Sequence, residues 1–264
     1  LIFAKEASEM SDAVLFEARD DGIAIITINR PDQRNALSLE VRQGLFAAWD
    51  RFERDDSLKV GILTGAGERI FCAGGDLKEM MALGLEVPPR DMFPVQGDTV
   101  HLSKPTIAAV NGPAFAGGWM IAQGCDLCVA STEAKFAITE VKVGRSSPWA
   151  APLIHMIPQR IMMEIILTGN PITAQRAYEI GLVNRLFEPN DLMAGAIALA
   201  QEIIVGAPLS VKAGRETVRL AAEMGRSDAL EAARQASEAA YRSHDAKEGP
   251  RAFSEKRKPV WTGA

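Results

Sequence analysis

Residues Thr106 to Asp126 read TIAAVNGPAFAGGWMIAQGCD. The apolar run Ile107 to Val110 predicts a short buried strand. Asn111-Gly112-Pro113 ends it with turn chemistry. Gly117-Gly118 then opens an apolar helical stretch, Trp119 to Ala122. A strand, a glycine pair and a helix start, in that order, leave a backbone N–H free at the positive end of a helix. A negatively charged oxygen is held at such a point, and glycine lets it come close.

A second stretch upstream repeats the arrangement. Val60 to Thr64 predicts another short strand, and FCAGGDLKEM at 71–80 again leads from small residues into a helix. Two N–H groups aimed at one oxygen stabilise an enolate or a tetrahedral anion, each donor lowering the barrier by ~2.7–4 kcal/mol. A single Gly-Gly before a helix serves close packing equally well. Four stretches together say more: INRPDQRNALS, FCAGGDLKEM, NGPAFAGGWMIAQGCD and AKFAITEVKVG. In this order they resemble the enoyl-CoA hydratase/isomerase (crotonase) family, from about Val14 to Trp261.

The resemblance implies an α/β fold with a spiral core of ββα turns over residues 14–200. A helical C-terminal region, 201–264, would build a homotrimer or a dimer of trimers. It implies an acyl-CoA substrate and no cofactor beyond its coenzyme A moiety. Gly75 and Gly117 match the two positions whose N–H groups bind the thioester carbonyl. Gln33, Arg34, Ala36, Ala73, Gly74, Asp76 and Leu77 match positions that hold the coenzyme A. Gly118, Met120, Thr139, Arg145 and Trp149 fall at the acyl pocket.

Glu140 matches one of the two glutamates of typical hydratases. A carboxylate in an apolar pocket has its pKa raised toward neutrality, which suits it to proton transfer. The other glutamate belongs three residues after Gly117, where this chain has Met120. A thioether neither binds water by a charged bond nor carries a proton. The loop after Gly144 also departs, reading RSSPWAA in place of a glycine-rich run. Arg145, Ser146 or Ser147 could make the pocket polar, and Trp119, Trp149 and Met120 could make it tight and apolar. Three readings stay open. One is hydration or isomerisation of an enoyl-CoA through a single glutamate. Another is C–C cleavage or decarboxylation, with Arg145 on a substrate carboxylate. The third is acyl-CoA binding without turnover.

The rest of the chain, strands early and helices late, fits an α/β core with a helical C-terminal region. Val14 to Phe16 and Ile23 to Ile28 predict a hairpin turning at Asp20-Asp21-Gly22. Ser38 is an N-cap for a helix whose Val41, Leu45, Trp49 and Phe52 recur on one face. A helix is expected over Leu77 to Leu83, a mobile loop over Gly84 to Pro94, and a helix over Gln96 to Leu102. Beyond Pro152 the pattern is mostly helical, with a last short strand at Val183 to Phe187 and four helices after Leu192.

Of the 264 residues 47% are apolar, enough for a full core, and the net charge is −5, which argues against a nucleic-acid partner. No apolar run reaches bilayer length, so no membrane span is expected. LIFAKEASEMSDA at the N-terminus lacks a signal-peptide core and is assigned no structure. Cys72, Cys125 and Cys128 are odd in number, pointing to reduced thiols and a cytoplasmic location. Cys125 and Cys128 form a CxxC without a second ligand pair, and His101, His155 and His244 lack metal-site spacing, so no metal is expected.

Overall fold

The computed structural model describes residues 12–84 and 86–264; the leader stretch falls mainly outside them. Among the described residues nine strands form two sheets. The larger has six: β1 (Val14–Ala18), β2 (Ile23–Ile28), β3 (Val60–Gly65), β4 (Thr106–Val110), β6 (Leu127–Ser131) and β9 (Arg185–Phe187). They lie in that order, with β1 antiparallel to β2 and the others parallel. The smaller sheet holds β5 (Ala114–Phe115), β7 (Lys135–Ala137) and β8 (Ile172–Thr173).

The strands alternate between two cores. On β2, β3 and β4, Ile23, Val60, Ile62, Ile107 and Ala109 pack with Leu192, Ala196 and Leu199 of helix α6 (Leu192–Ile204). Ala24, Ile26, Leu63, Ala108 and Val110 face the other way. There they meet Val41, Leu45, Trp49 and Phe52 of α1 (Leu39–Arg54), all buried as the spacing predicts. Helices on both faces of a parallel sheet explain why these strands are apolar throughout. The Ser38 hydroxyl accepts the Val41 N–H at 3.4 Å and opens α1.

Short helices α2 (Leu77–Leu83) and α3 (Gly117–Gly124) follow β3 and β5, and α4 (Gln159–Thr168) and α5 (Ala174–Glu179) lie after β7. The chain ends in α7 (Pro208–Glu223), α8 (Arg226–Arg242) and α9 (Asp245–Ser254). Among the described residues no single helix is long and apolar enough to cross a membrane.

One local expectation is corrected. Residues 96–102 do not form a helix. Gly97 has a φ of 85°, and a bridge pairs Gln96 with Val100, closing a turn instead. The Thr99 hydroxyl accepts the Val95 N–H at 2.8 Å and donates to the Phe93 carbonyl at 2.5 Å, an alternative to helical bonding. Within the segment expected as a mobile loop, Arg90–Met92 forms a 3-10 turn whose Met92 is fully buried.

Candidate active site

Three parallel segments build the site, each delivering one group at its exit. Cys72 bridges Ala114, and the Phe71 N–H donates to the Pro113 carbonyl at 3.1 Å. The Phe115 N–H returns a bond to the Cys72 carbonyl at 3.0 Å. On the other side of β5, Ala114 and Phe115 pair with Phe136 and Ala137 of β7. Past these ladders the chains emerge together at Gly75, Gly117 and Glu140.

Two asparagines hold the glycine loops in register. Asn111 donates to the carbonyls of Gly65 at 2.9 Å and Gly67 at 2.7 Å, tying the end of β4 to that of β3. Asn35, fully buried, donates to the carbonyls of Ala66 and Ile70 at 3.0 and 3.1 Å. The Leu37 N–H donates to the Gly74 carbonyl at 2.8 Å from the far side.

The backbone is strained where the amides meet. Ala116 has φ 50° and ψ −122°, a conformation that disfavours a side chain, and it directs the chain into α3. Gly74 has φ 100°, and a Cβ there would meet the Cβ of Ala116 at 2.9 Å. The two amide sites are neighbours: a Cβ on Gly117 would lie 3.4 Å from the Gly75 nitrogen. Among the described residues neither N–H has a protein acceptor. Both glycines border one cavity of about 1130 Å³.

Glu140 borders the same cavity. The Trp149 indole N–H donates to its Oε1 at 2.8 Å, while its Oε2 is buried with no partner. Burial pushes the carboxyl above the ordinary glutamate range, and the Trp149 bond opposes that rise. If Glu140 acts ionised, its acid limb lies above that of an exposed glutamate. Trp149→Phe removes the opposing donor. The expected result is an acid limb of kcat/KM displaced to higher pH, with kcat about tenfold lower. A pH–rate profile of the variant checks this, and an unmoved limb refutes it.

Of the residues matched by sequence, Gln33, Arg34, Ala36, Ala73, Asp76 and Leu77 line the cavity. Met120, Thr139, Arg145 and Trp149 also border it. Met120 is buried at the wall, so its thioether stands where a second carboxylate was sought. Two glycines are not among the residues that border the cavity. Gly118 does not line the cavity, because it packs on the first glycine loop; a Cβ there would meet the Cys72 carbonyl oxygen at 2.2 Å. Gly74 packs against the second glycine loop, where a Cβ would meet the Phe115 carbonyl oxygen at 3.0 Å and the Gly117 nitrogen at 3.2 Å. The Asp76 carboxylate caps α2, accepting the N–H groups of Lys78 and Glu79 at 3.1 and 3.2 Å.

Other contributors were not singled out by sequence. Phe93, Met80, Lys78 and the Arg90–Asp98 ion pair also border the cavity. Buried Arg42 donates to Glu79 at 2.6 Å, joining the first turns of α1 and α2. Near the C-terminus, Arg257 donates to Glu248 at 2.5 and 2.9 Å. Burial raises the Cys125 and Cys128 thiols, Cys128 to about 12, so neither is a thiolate at neutral pH.

Comparison with known proteins gives concordant matches. A family model described as enoyl-CoA hydratase/isomerase matches residues 18–264. The chain is 41% identical over 250 residues to enoyl-CoA hydratase EchA19 of Mycobacterium tuberculosis, covering 89% of this chain and 91% of that one. It is 38% identical over 253 residues to (E)-benzylidenesuccinyl-CoA hydratase of Thauera aromatica, covering 92% and 96%. A crystal structure of an enoyl-CoA hydratase from Mycobacterium tuberculosis H37Rv superposes with a TM-score of 0.88 at 40% identity, covering 96% of this chain and all of that one.

Proposed function

The chain belongs to the enoyl-CoA hydratase/isomerase family and has its crotonase fold, and from that premise we propose that it adds water to, or removes it from, an enoyl-CoA thioester through one carboxylate, Glu140. The coarse activity, an enzyme working on CoA thioesters, follows from membership. In this reading the Gly75 and Gly117 amides receive the thioester oxygen. The charge that develops on it as the double bond is attacked is held by two donors needing no reorganisation. Glu140 moves the proton beside that carbonyl. The observation that carries the reading is the half-buried Glu140 carboxylate in the same cavity as the two free amides, one oxygen held by Trp149 and the other buried and unpaired.

Coenzyme A would lie along Gln33, Arg34, Ala36 and the start of α2, where Arg34 and Lys78 supply positive charge for its phosphates. Hydratase names on the two relatives favour water chemistry. Met120 favours a second reading, double-bond isomerisation, because a single base that takes and returns one proton suffices for it. The exposed apolar side chains Val218, Leu230 and Phe253 on the C-terminal helices support assembly into trimers.

Met120→Glu separates the two reactions. It restores a second carboxylate at the wall, and hydration of crotonyl-CoA is expected to rise about tenfold while isomerisation of a 3-enoyl-CoA falls. Spectrophotometric loss of the enoyl thioester measures the first and product analysis the second. A variant no faster in hydration than the parent removes Met120 as the cause of any deficit.

A further inference from the structure

We propose that Gln123 is a positioning residue that sets the Glu140 carboxylate through Trp149, an inference that rests on the proposed role of Glu140. The chain of contacts is short. Gln123 Nε2 donates to the Trp149 carbonyl at 2.7 Å, and Trp149 Nε1 donates to Glu140 Oε1 at 2.8 Å. Gln123 sits in α3, the helix whose first residue is Gly117. The amide that receives the thioester oxygen and the tether of the carboxylate therefore ride on one rigid element.

The loop needs that tether. Gly144, Arg145, Ser146 and Pro148 are exposed. Among the described residues, the Gln123 bond is the one side-chain hydrogen bond joining 144–149 to an α-helix. Glu140 is held by the loop's indole, so freedom in the loop becomes freedom in the carboxylate.

The glutamine is also a poor choice on stability grounds alone. Its Oε1 is buried without a partner, as is the Trp119 indole nitrogen one turn earlier. A buried polar atom left unpaired is destabilising, and an apolar side chain of the same length would avoid it. What the amide alone supplies is the Nε2 donor. The Trp149 carbonyl, which only accepts, fixes which end of the amide faces it.

The test compares Gln123→Met, Trp149→Phe and the double variant. With crotonyl-CoA as the probe, Gln123→Met is expected to lower kcat by up to about tenfold, no more than Trp149→Phe does, because it misplaces the same catalytic group. KM should change by less than about twofold, since the thioester is bound elsewhere. The acid limb should move upward, as in Trp149→Phe, because Glu140 loses the same donor. The double variant should be no slower than Trp149→Phe, since both act along one path.

The second readout needs no turnover. The four tryptophans give few indole N–H signals in a 15N spectrum, and Trp149→Phe assigns one. In the parent this signal should titrate with Glu140, and in Gln123→Met it should shift and lose that titration. Where methionine perturbs folding, Gln123→Glu serves: ionised, it has no donor, and it should give the same losses. Additive effects in the double variant, or an unchanged indole titration in Gln123→Met, overturn the proposal. If Glu140→Gln keeps turnover, the role of Glu140 fails; if that variant is inactive while Gln123→Met behaves as the parent, only the positioning role fails.

Discussion

Glu140→Gln is expected to lower kcat about a thousandfold, within the range supplied by general acid–base catalysis, while affinity for the acyl-CoA stays within a few fold. The substitution isolates proton transfer. Glutamine has the same shape, and its amide oxygen still accepts the Trp149 indole N–H that holds Oε1 at 2.8 Å. The side chain therefore keeps its place at the cavity wall. It loses the capacity to take or give a proton. Burial has already moved the carboxyl upward, toward the pH where such a group is most effective. The groups assigned to coenzyme A stand on other segments, the loop at Gln33 to Ala36 and the start of α2, and are untouched. Single-turnover rates and calorimetric binding of the thioester separate the two quantities. Turnover within tenfold of the parent would take Glu140 out of the chemistry.

Local signals were legible in the sequence where one short segment decides its own structure. Ser38 and the spacing of Val41, Leu45, Trp49 and Phe52 define α1 and its buried face. Asp76 and Gly84 bound α2, the first by capping two N–H groups and the second by a φ of 58°. The same logic fails at 96–102, because the Thr99 hydroxyl and the left-handed Gly97 favour a turn. The two glycine loops could be read, but not what joins them. Their approach depends on Asn111 reaching back across 46 positions to Gly65, and on the bridge between Cys72 and Ala114. Gly118 and Gly74 match site positions in sequence, and the fold adds a packing demand at each: a Cβ would meet the Cys72 carbonyl oxygen at 2.2 Å and the Ala116 Cβ at 2.9 Å. The partnership of Trp149 with Glu140 was illegible for another reason. The two are nine positions apart across 3-10 turns, where no helix or strand period says which side chains meet.

Gly117→Ala is expected to lower kcat/KM about a hundredfold to a thousandfold with the fold intact, the loss typical of one oxyanion donor. The backbone at Gly117 tolerates alanine, since this first residue of α3 is not among the glycines with positive φ. The added methyl would meet the Leu37 Cδ1 at 3.1 Å, the far end of a flexible side chain that can yield by a few tenths of an ångström. It would also stand 3.4 Å from the Gly75 nitrogen and 3.5 Å from the Gly74 Cα. A methyl there crowds the second amide and displaces an oxygen seeking both. Stability should change little, so thermal unfolding and kcat/KM respond differently. Gly118 behaves oppositely, because a Cβ there would collide with backbone at the Cys72 carbonyl. An alanine at 117 that left kcat/KM within threefold would mean that the thioester oxygen is not received between these two amides, and the enolate would need another source of stabilisation.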